Sequence, residues 1–230
     1  MNRPARRPRR TPDDAGDPQP AGSLPFAPKI EDGAVATTPS GAQRDIFAAT
    51  ERLLQVSPVG DLTVAQILVE AGVSRTTFYK YFTSKHMVVS SMLRAVQAEL
   101  IDVMKPWSTR GAQSPADALR QAMRAVAQVW GGNRPVLRAC SECWHSEPEI
   151  GSQWVAMVDR FVIDIARQID CERRRGAAPA GIDSLGLARQ LAWGGERMMY
   201  LAGFGICGPG LENDVIEPLV AVWTGAIYRN

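Results

Sequence analysis

The chain has 230 residues, of which 45% are hydrophobic and 22% charged, and its formal net charge is +2 at pH 7. Such a chain is expected to be soluble and globular with a sizeable core, and it is too polar for an integral membrane protein. No stretch approaches the ~20 apolar residues of a spanning helix: the longest uncharged run towards the C-terminus, Met198 to Leu211, is interrupted by Gly203, Gly205, Gly208, Pro209 and Gly210.

Residues 1–40 hold six basic and five acidic side chains, sorted along the chain: Arg3, Arg6, Arg7, Arg9 and Arg10 come first, Asp13, Asp14, Asp17, Glu31 and Asp32 later. Prolines at 4, 8, 12, 18, 20, 25, 28 and 39 leave no helical or strand periodicity, which predicts a disordered tail. Proline and aspartate follow the arginines where a signal peptide would need an apolar segment, so a cytoplasmic location is expected. Cys140, Cys143, Cys171 and Cys207 are too sparse for a disulfide framework and fit free thiols in a reducing compartment.

From Gln43 the pattern turns helical. Ile46, Phe47, Thr50, Leu53 and Leu54 recur at helical spacing and stop at Ser57, Pro58 and Gly60. Thr63 can cap a second helix, Val64 to Ala71, which Gly72 terminates. Ser74 can cap a third, Arg75 to Tyr81, and Ser84 a fourth that runs from Lys85 to about Met104. Further helices are predicted at 115–130, 134–145, 148–175, 184–206 and 213–228, between glycine, proline and asparagine breakers. No window sustains the period-2 alternation of a sheet, so the fold class is all-α.

Residues 41–86 hold five basic and four acidic groups, yet Ser74 to Lys85 contains Arg75, Lys80 and Lys85 and no acid. A helix, a tight glycine turn and a second helix rich in small polar and basic side chains is the helix-turn-helix arrangement, whose second helix lies in the DNA major groove. Phe78 and Phe82 lie four apart and can anchor the inner face, which leaves Arg75, Thr76, Thr77 and Lys80 outside. Arg75 suits guanine edges, the methyls of Thr76 and Thr77 suit thymine methyls, and Thr63, Tyr79 and Lys85 suit phosphate oxygens. Ser74 and Tyr81 complete the candidate DNA-binding set. The bland alternative for this stretch is an ordinary solvated helix end. The arginine tail suits non-specific attraction to the same polyanion, since flexible basic arms enter the minor groove beside such heads. Residues 87–230 hold 15 charges of each sign and so need another role.

The run Ala71-Gly72-Val73-Ser74-Arg75-Thr76-Thr77-Phe78-Tyr79-Lys80-Tyr81-Phe82-Thr83-Ser84-Lys85 resembles the TetR-type transcriptional regulators, with the resemblance strongest over residues 43–90. It implies a TetR-like all-α homodimer: here a tail at 1–40, a helix-turn-helix DNA-binding domain at 41–86 and a larger helical ligand-binding and dimerisation domain at 87–230. It also implies a repressor that binds a pseudo-palindromic double-stranded operator and is released by a hydrophobic small molecule, with no cofactor. Helices 184–206 and 213–228 match the family's dimer-forming pair; the first is rich in small residues such as Gly186, Ala188, Ala192 and Gly194, and the second presents Val215, Leu219, Val222 and Ala226.

Within the larger part, Glu172-Arg173-Arg174-Arg175-Gly176-Ala177-Ala178-Pro179, Glu196-Arg197 and Trp223 with Ile227-Tyr228 resemble the EthR-type branch, regulators of a flavin monooxygenase gene. In that branch aromatic side chains line a long apolar channel, and the matching positions are Trp130, Trp154, Phe161 and Trp223. Two asparagines that the branch uses to contact ligand correspond to Ala192 and Gly195, so the channel is expected to be more apolar there, with Trp193 and Met198 nearby to refill it. Plain core packing would use the same side chains. Arg173, Arg174 and Arg175 suit a solvated helix C-terminus.

Two rivals remain. Cys140 and Cys143 share a helix face with His145 near, which would suit a thiol enzyme working in the apolar cavity. Against it, no phosphate loop, nucleophile elbow or HExxH pattern occurs, a zinc site needs more ligands, and the only histidines are His86 and His145, so neither enzyme nor metal site is expected. The other rival is a constitutive DNA-binding dimer that does not respond to ligand.

Overall fold

The computed structural model describes residues 40–206 and 215–229. The expected tail as far as residue 39, Cys207 and the first two residues of the last predicted helix lie outside them. Among the described residues there are nine α-helices and no strand: α1 Gly41–Val56, α2 Val64–Ala71, α3 Arg75–Tyr81, α4 Lys85–Ser108, α5 Pro115–Gly132, α6 Arg134–Cys143, α7 Pro148–Arg174, α8 Ser184–Gly203 and α9 Ile216–Tyr228.

Local chemistry sets most of the helix starts. The Ser40 hydroxyl accepts the Gln43 N–H while the Gln43 side chain accepts the Ser40 N–H, and Thr63 and Gln66 repeat this reciprocal cap at α2. Ser74, Ser84, Ser114 and Asp183 each accept an N–H from the first turn of α3, α4, α5 and α8. Gly72 ends α2 in the left-handed region at φ 65°, which a side chain would strain, and so turns the chain into α3 within two residues.

Several helix ends differ from the sequence expectation, three of them for a visible reason. Helix α4 continues past Met104 through Pro106 to Ser108. Pro106 falls in the last turn, where few backbone bonds are forfeited, and buried Trp107 holds that turn by an edge contact to Trp223 and a bond from its indole N–H to the Tyr228 hydroxyl. Helix α6 stops at Cys143 and gives way to a turn in which the Ser146 and Glu147 N–H groups donate to the Cys143 carbonyl. Helix α8 stops at Gly203, because Gly205 N–H returns to Ala202 O and Ile206 N–H to Leu201 O, the Schellman pattern around a left-handed glycine.

Helices α1, α2 and α3 pack around Ile46, Leu54, Ile67, Phe78 and Phe82, and α1 also lies against α4 and α6. Helix α4 then runs between α5 and α7, α8 packs along α7, and α9 closes on α5. One continuous apolar core joins these layers.

Arg110 and Glu172 form a buried ion pair at the foot of α4 and α7, with Gln168 also donating to Glu172. The bond to Glu172 holds the Arg110 guanidinium still more firmly charged. Arg173 is not simply solvated: it donates to Ser184, which in turn donates to Asp170, and so fastens the end of α7 to the start of α8.

Candidate functional site: an exposed recognition helix and an apolar cavity

The sequence of α3 divides as its spacing predicts. Phe78 and Phe82 are buried, 5.8 Å apart between ring centres, and Phe82 meets Phe47 of α1 at 5.6 Å. Arg75, Thr76, Tyr79 and Lys80 are exposed, Tyr79 to 48%. The Arg75 and Thr76 side chains make no hydrogen bond among the described residues, and the Lys80 ammonium lies 5.6 Å from the centre of the Tyr81 ring. A cation, a hydroxyl and a phenol therefore face outward together on a helix whose inner side is fixed by aromatic packing.

The other candidates on this face are partly committed within the fold. The Ser74 hydroxyl accepts the Thr77 N–H at 3.0 Å and meets the Thr77 hydroxyl at 2.9 Å. Thr63 spends its hydroxyl on Gln66. The Lys85 ammonium is likewise engaged: it donates to Gly60 O at 2.7 Å and to Leu62 O at 2.6 Å, binding the start of α4 to the loop between α1 and α2. Its neighbours reach the other way, Ser84 donating to Glu149 at 2.9 Å and His86 lying 3.0 Å from Glu147.

The second feature is a partly open cavity lined from α4, α5, α7, α8 and α9, with a free volume of about 80 Å³. Of the residues expected to line a channel, Trp130, Phe161, Gly195 and Trp223 do so, together with Ala192. Trp154, Trp193 and Met198 do not. Trp154 is fully buried behind Trp130, edge-on at 6.4 Å, and Trp193 packs on Trp144 at 5.8 Å. Met199 rather than Met198 reaches the wall, because adjacent positions point about 100° apart on a helix.

The wall also holds Met104, Met123 and Met157 and one charged side chain, Glu196, which the sequence did not single out as a site. Its position on the stripe Ala192, Glu196, Met199 was the available signal, an acid where an apolar residue belongs. Burial raises the Glu196 carboxyl to about 6, with Arg197 opposing the shift.

The thiol cluster is not poised for chemistry. Burial pushes the Cys140 thiol up, and Cys143 in the same direction, so both favour the unreactive form. His145 is exposed and rests on the Trp144 ring at 3.9 Å. No group of three metal-ligating side chains occurs among the described residues. No helix among them is long and apolar enough to cross a membrane.

Residues 46–92 match the family described as bacterial regulatory proteins, tetR family, and residues 119–229 match the C-terminal domain of the transcriptional regulator EthR. The chain is 31% identical to the HTH-type transcriptional regulator EthR of Mycobacterium tuberculosis over 197 residues, 83% of this chain and 89% of that one. It is 30% identical over 199 residues to the regulator of the same name from Mycolicibacterium smegmatis, covering 85% and 91% of the two chains. Among solved structures, the fatty acid degradation regulator FadR of Bacillus halodurans shares the fold, with a TM-score of 0.70 at 13% identity over 84% of this chain and 100% of that one.

Proposed function

We propose for this chain, which belongs to the TetR family of bacterial regulatory proteins in its EthR-like branch, the work of a ligand-responsive repressor. The family is one of transcriptional regulators and not of enzymes, so the finer questions are how the chain holds DNA and what releases it. In this reading residues 41–86 are the DNA-binding domain and 87–230 the ligand-binding and dimerisation domain. Arg75 and Thr76 read base edges from α3, with Thr77 beside them, while Tyr79, Lys80, Tyr81 and the N-terminal positions Thr63 and Ser74 meet the backbone.

The observation that carries the reading is the course of α4. Lys85 at its start is bonded to the loop before α2, and Leu100 and Met104, from roughly 22 Å further along the axis, line the cavity. A ligand that displaces the cavity wall therefore pushes on the helix that fixes the head. Release follows if the ligand prefers a conformation whose recognition helices no longer match the spacing of two half-sites.

Two copies are needed for that spacing, and the outer faces of α8 and α9 suit a twofold four-helix contact. Leu185 and Gly194 are exposed on α8, and Pro218, Ala221, Val222 and Ala226 on α9, with Val222 60% exposed. A second reading, a constitutive DNA-binding dimer, is favoured by the small free volume, since ligand pockets commonly exceed roughly 300 Å³. The methionine-rich wall weighs against it, because unbranched thioether side chains yield to a guest.

The test is binding of purified protein to its own upstream DNA and to a scrambled duplex at two salt concentrations, with Arg75→Ala and Tyr79→Phe beside the wild type. Specific binding that Arg75→Ala abolishes supports the reading. Salt-sensitive binding without sequence preference would oppose it. In sedimentation, Val222→Asp should yield monomers.

A further inference from the structure

Among the described residues Glu196 is the one charged residue on an otherwise apolar wall, and its side chain is only 7% exposed. Neither carboxylate oxygen has a hydrogen-bond partner among the described residues. Arg197 does not supply one: its nearest nitrogen is 3.8 Å from the carboxylate, beyond bonding distance, and its guanidinium lies 4.8 Å over the Tyr200 ring. A carboxylate held in this way opposes folding, and an apolar side chain of similar size would pack without that cost. The group thus lacks a hydrogen-bond donor among the described residues, with Arg197 at 3.8 Å as its neighbouring opposite charge.

The chemistry of that partner is restricted. An anionic head is disfavoured, because two carboxylates in one apolar enclosure cannot both ionise. A hydroxyl offers a single donor and no compensating charge. An ammonium offers several donors and the opposite charge, where low polarity strengthens both. The aromatic walls add to the preference, since ring faces attract cations. Trp223 is at the same end of the cavity, for a β-carbon added to Gly195 would lie 3.6 Å from its ring.

We propose that this cavity takes a cationic amphiphile, an apolar amine in its ammonium form, with the charged head on Glu196 and beside Trp223 and the tail among the methionines of α4, α5 and α7. The assignment rests on the reading of the cavity as the effector site and narrows its effector class.

The experiment compares octylamine, 1-octanol and octanoate, which differ only in the head, against the full chain and Glu196→Gln. Binding is followed by calorimetry, and release of upstream DNA by fluorescence anisotropy. Octylamine should bind wild type at least tenfold more tightly than octanol, with octanoate weakest. Glu196→Gln, which keeps the size of the side chain and removes a buried charge that has no hydrogen-bond donor among the described residues, should fold well and bind amine and alcohol alike.

Equal binding of octylamine and octanol to wild type, or an amine preference that survives in Glu196→Gln, would overturn the proposal. So would the absence of binding by all three. If the amine preference holds and depends on Glu196 but DNA is not released, the site stands and the ligand-driven release fails. If octanol binds as well as octylamine and releases DNA, the regulator stands and the cation site fails.

Discussion

The ammonium of Lys85 lies 2.6 Å from the carbonyl oxygen of Leu62 and 2.7 Å from that of Gly60, so the first residue of α4 closes the loop that leads into α2. Two charge-assisted bonds at a partly exposed site put the loss in Lys85→Met at about 1–2 kcal/mol, read from urea denaturation. DNA binding should weaken with it, because the head is less firmly set. A lysine that worked on a phosphate would behave otherwise: stability would hold and the salt dependence of DNA binding would fall by about one unit of slope.

Glu196 makes stability depend on pH in a definite direction. Its carboxyl is raised to about 6 in the folded chain from an ordinary 4.5, so the folded state holds the proton more tightly than the unfolded state does. The raised value helps the fold at acid pH, and stability falls as pH rises through the window from 4.5 to 6, then levels. Glu196→Gln should be about 2 kcal/mol more stable than wild type at pH 7 and nearly equal to it at the acid end, as measured by denaturation at both values.

The Arg110–Glu172 pair should be costly to halve. Both side chains are largely buried, so Arg110→Met strands a carboxylate and should lose about 3–5 kcal/mol. Adding Glu172→Gln removes the stranded charge and should restore part of that loss. A double-mutant cycle in chemical denaturation gives the comparison; losses that simply add would contradict the pairing.

Gly151 supports α7 through a close approach. A β-carbon there would stand 2.4 Å from the Trp144 carbonyl oxygen, a backbone atom that cannot swing aside. Gly151→Ala should cost about 1–3 kcal/mol despite the better helix propensity of alanine. Gly131→Ala, in the last turn of α5 with nothing within 4 Å, should show a propensity gain alone, of up to about 0.5–1 kcal/mol.

Where the determinants are local, the sequence was readable. Thr63, Ser74 and Ser84 cap the helices assigned to them, Gly72 ends α2, and Phe78 and Phe82 turn inward while Arg75 and Lys80 turn out. These follow from hydrogen bonds or spacings within a few residues. What could not be read depends on contacts between distant segments. Helix α4 passes Pro106 because Trp107 is held by Trp223 and Tyr228, far along the chain. The wall takes Met199 and not Met198 because of how α8 is rotated against α7, which spacing leaves open by one residue. Trp154 and Trp193 were recognisable as apolar but not as belonging to the packing behind the cavity. The bonds from Lys85 to Gly60 and Leu62 could not be read either, because those carbonyls, more than 20 residues earlier, have no signature in sequence.

Helix α1 lies against both α4 and α6, and the apolar core runs through that contact without a break. The first three helices are therefore not an interchangeable cassette. Grafted onto another body they would bring an unmatched apolar flank, and cut free they would be too small to bury enough surface on their own. A chimaera that carries these helices therefore has to include the opening turns of α4 and a fitting surface in place of α6.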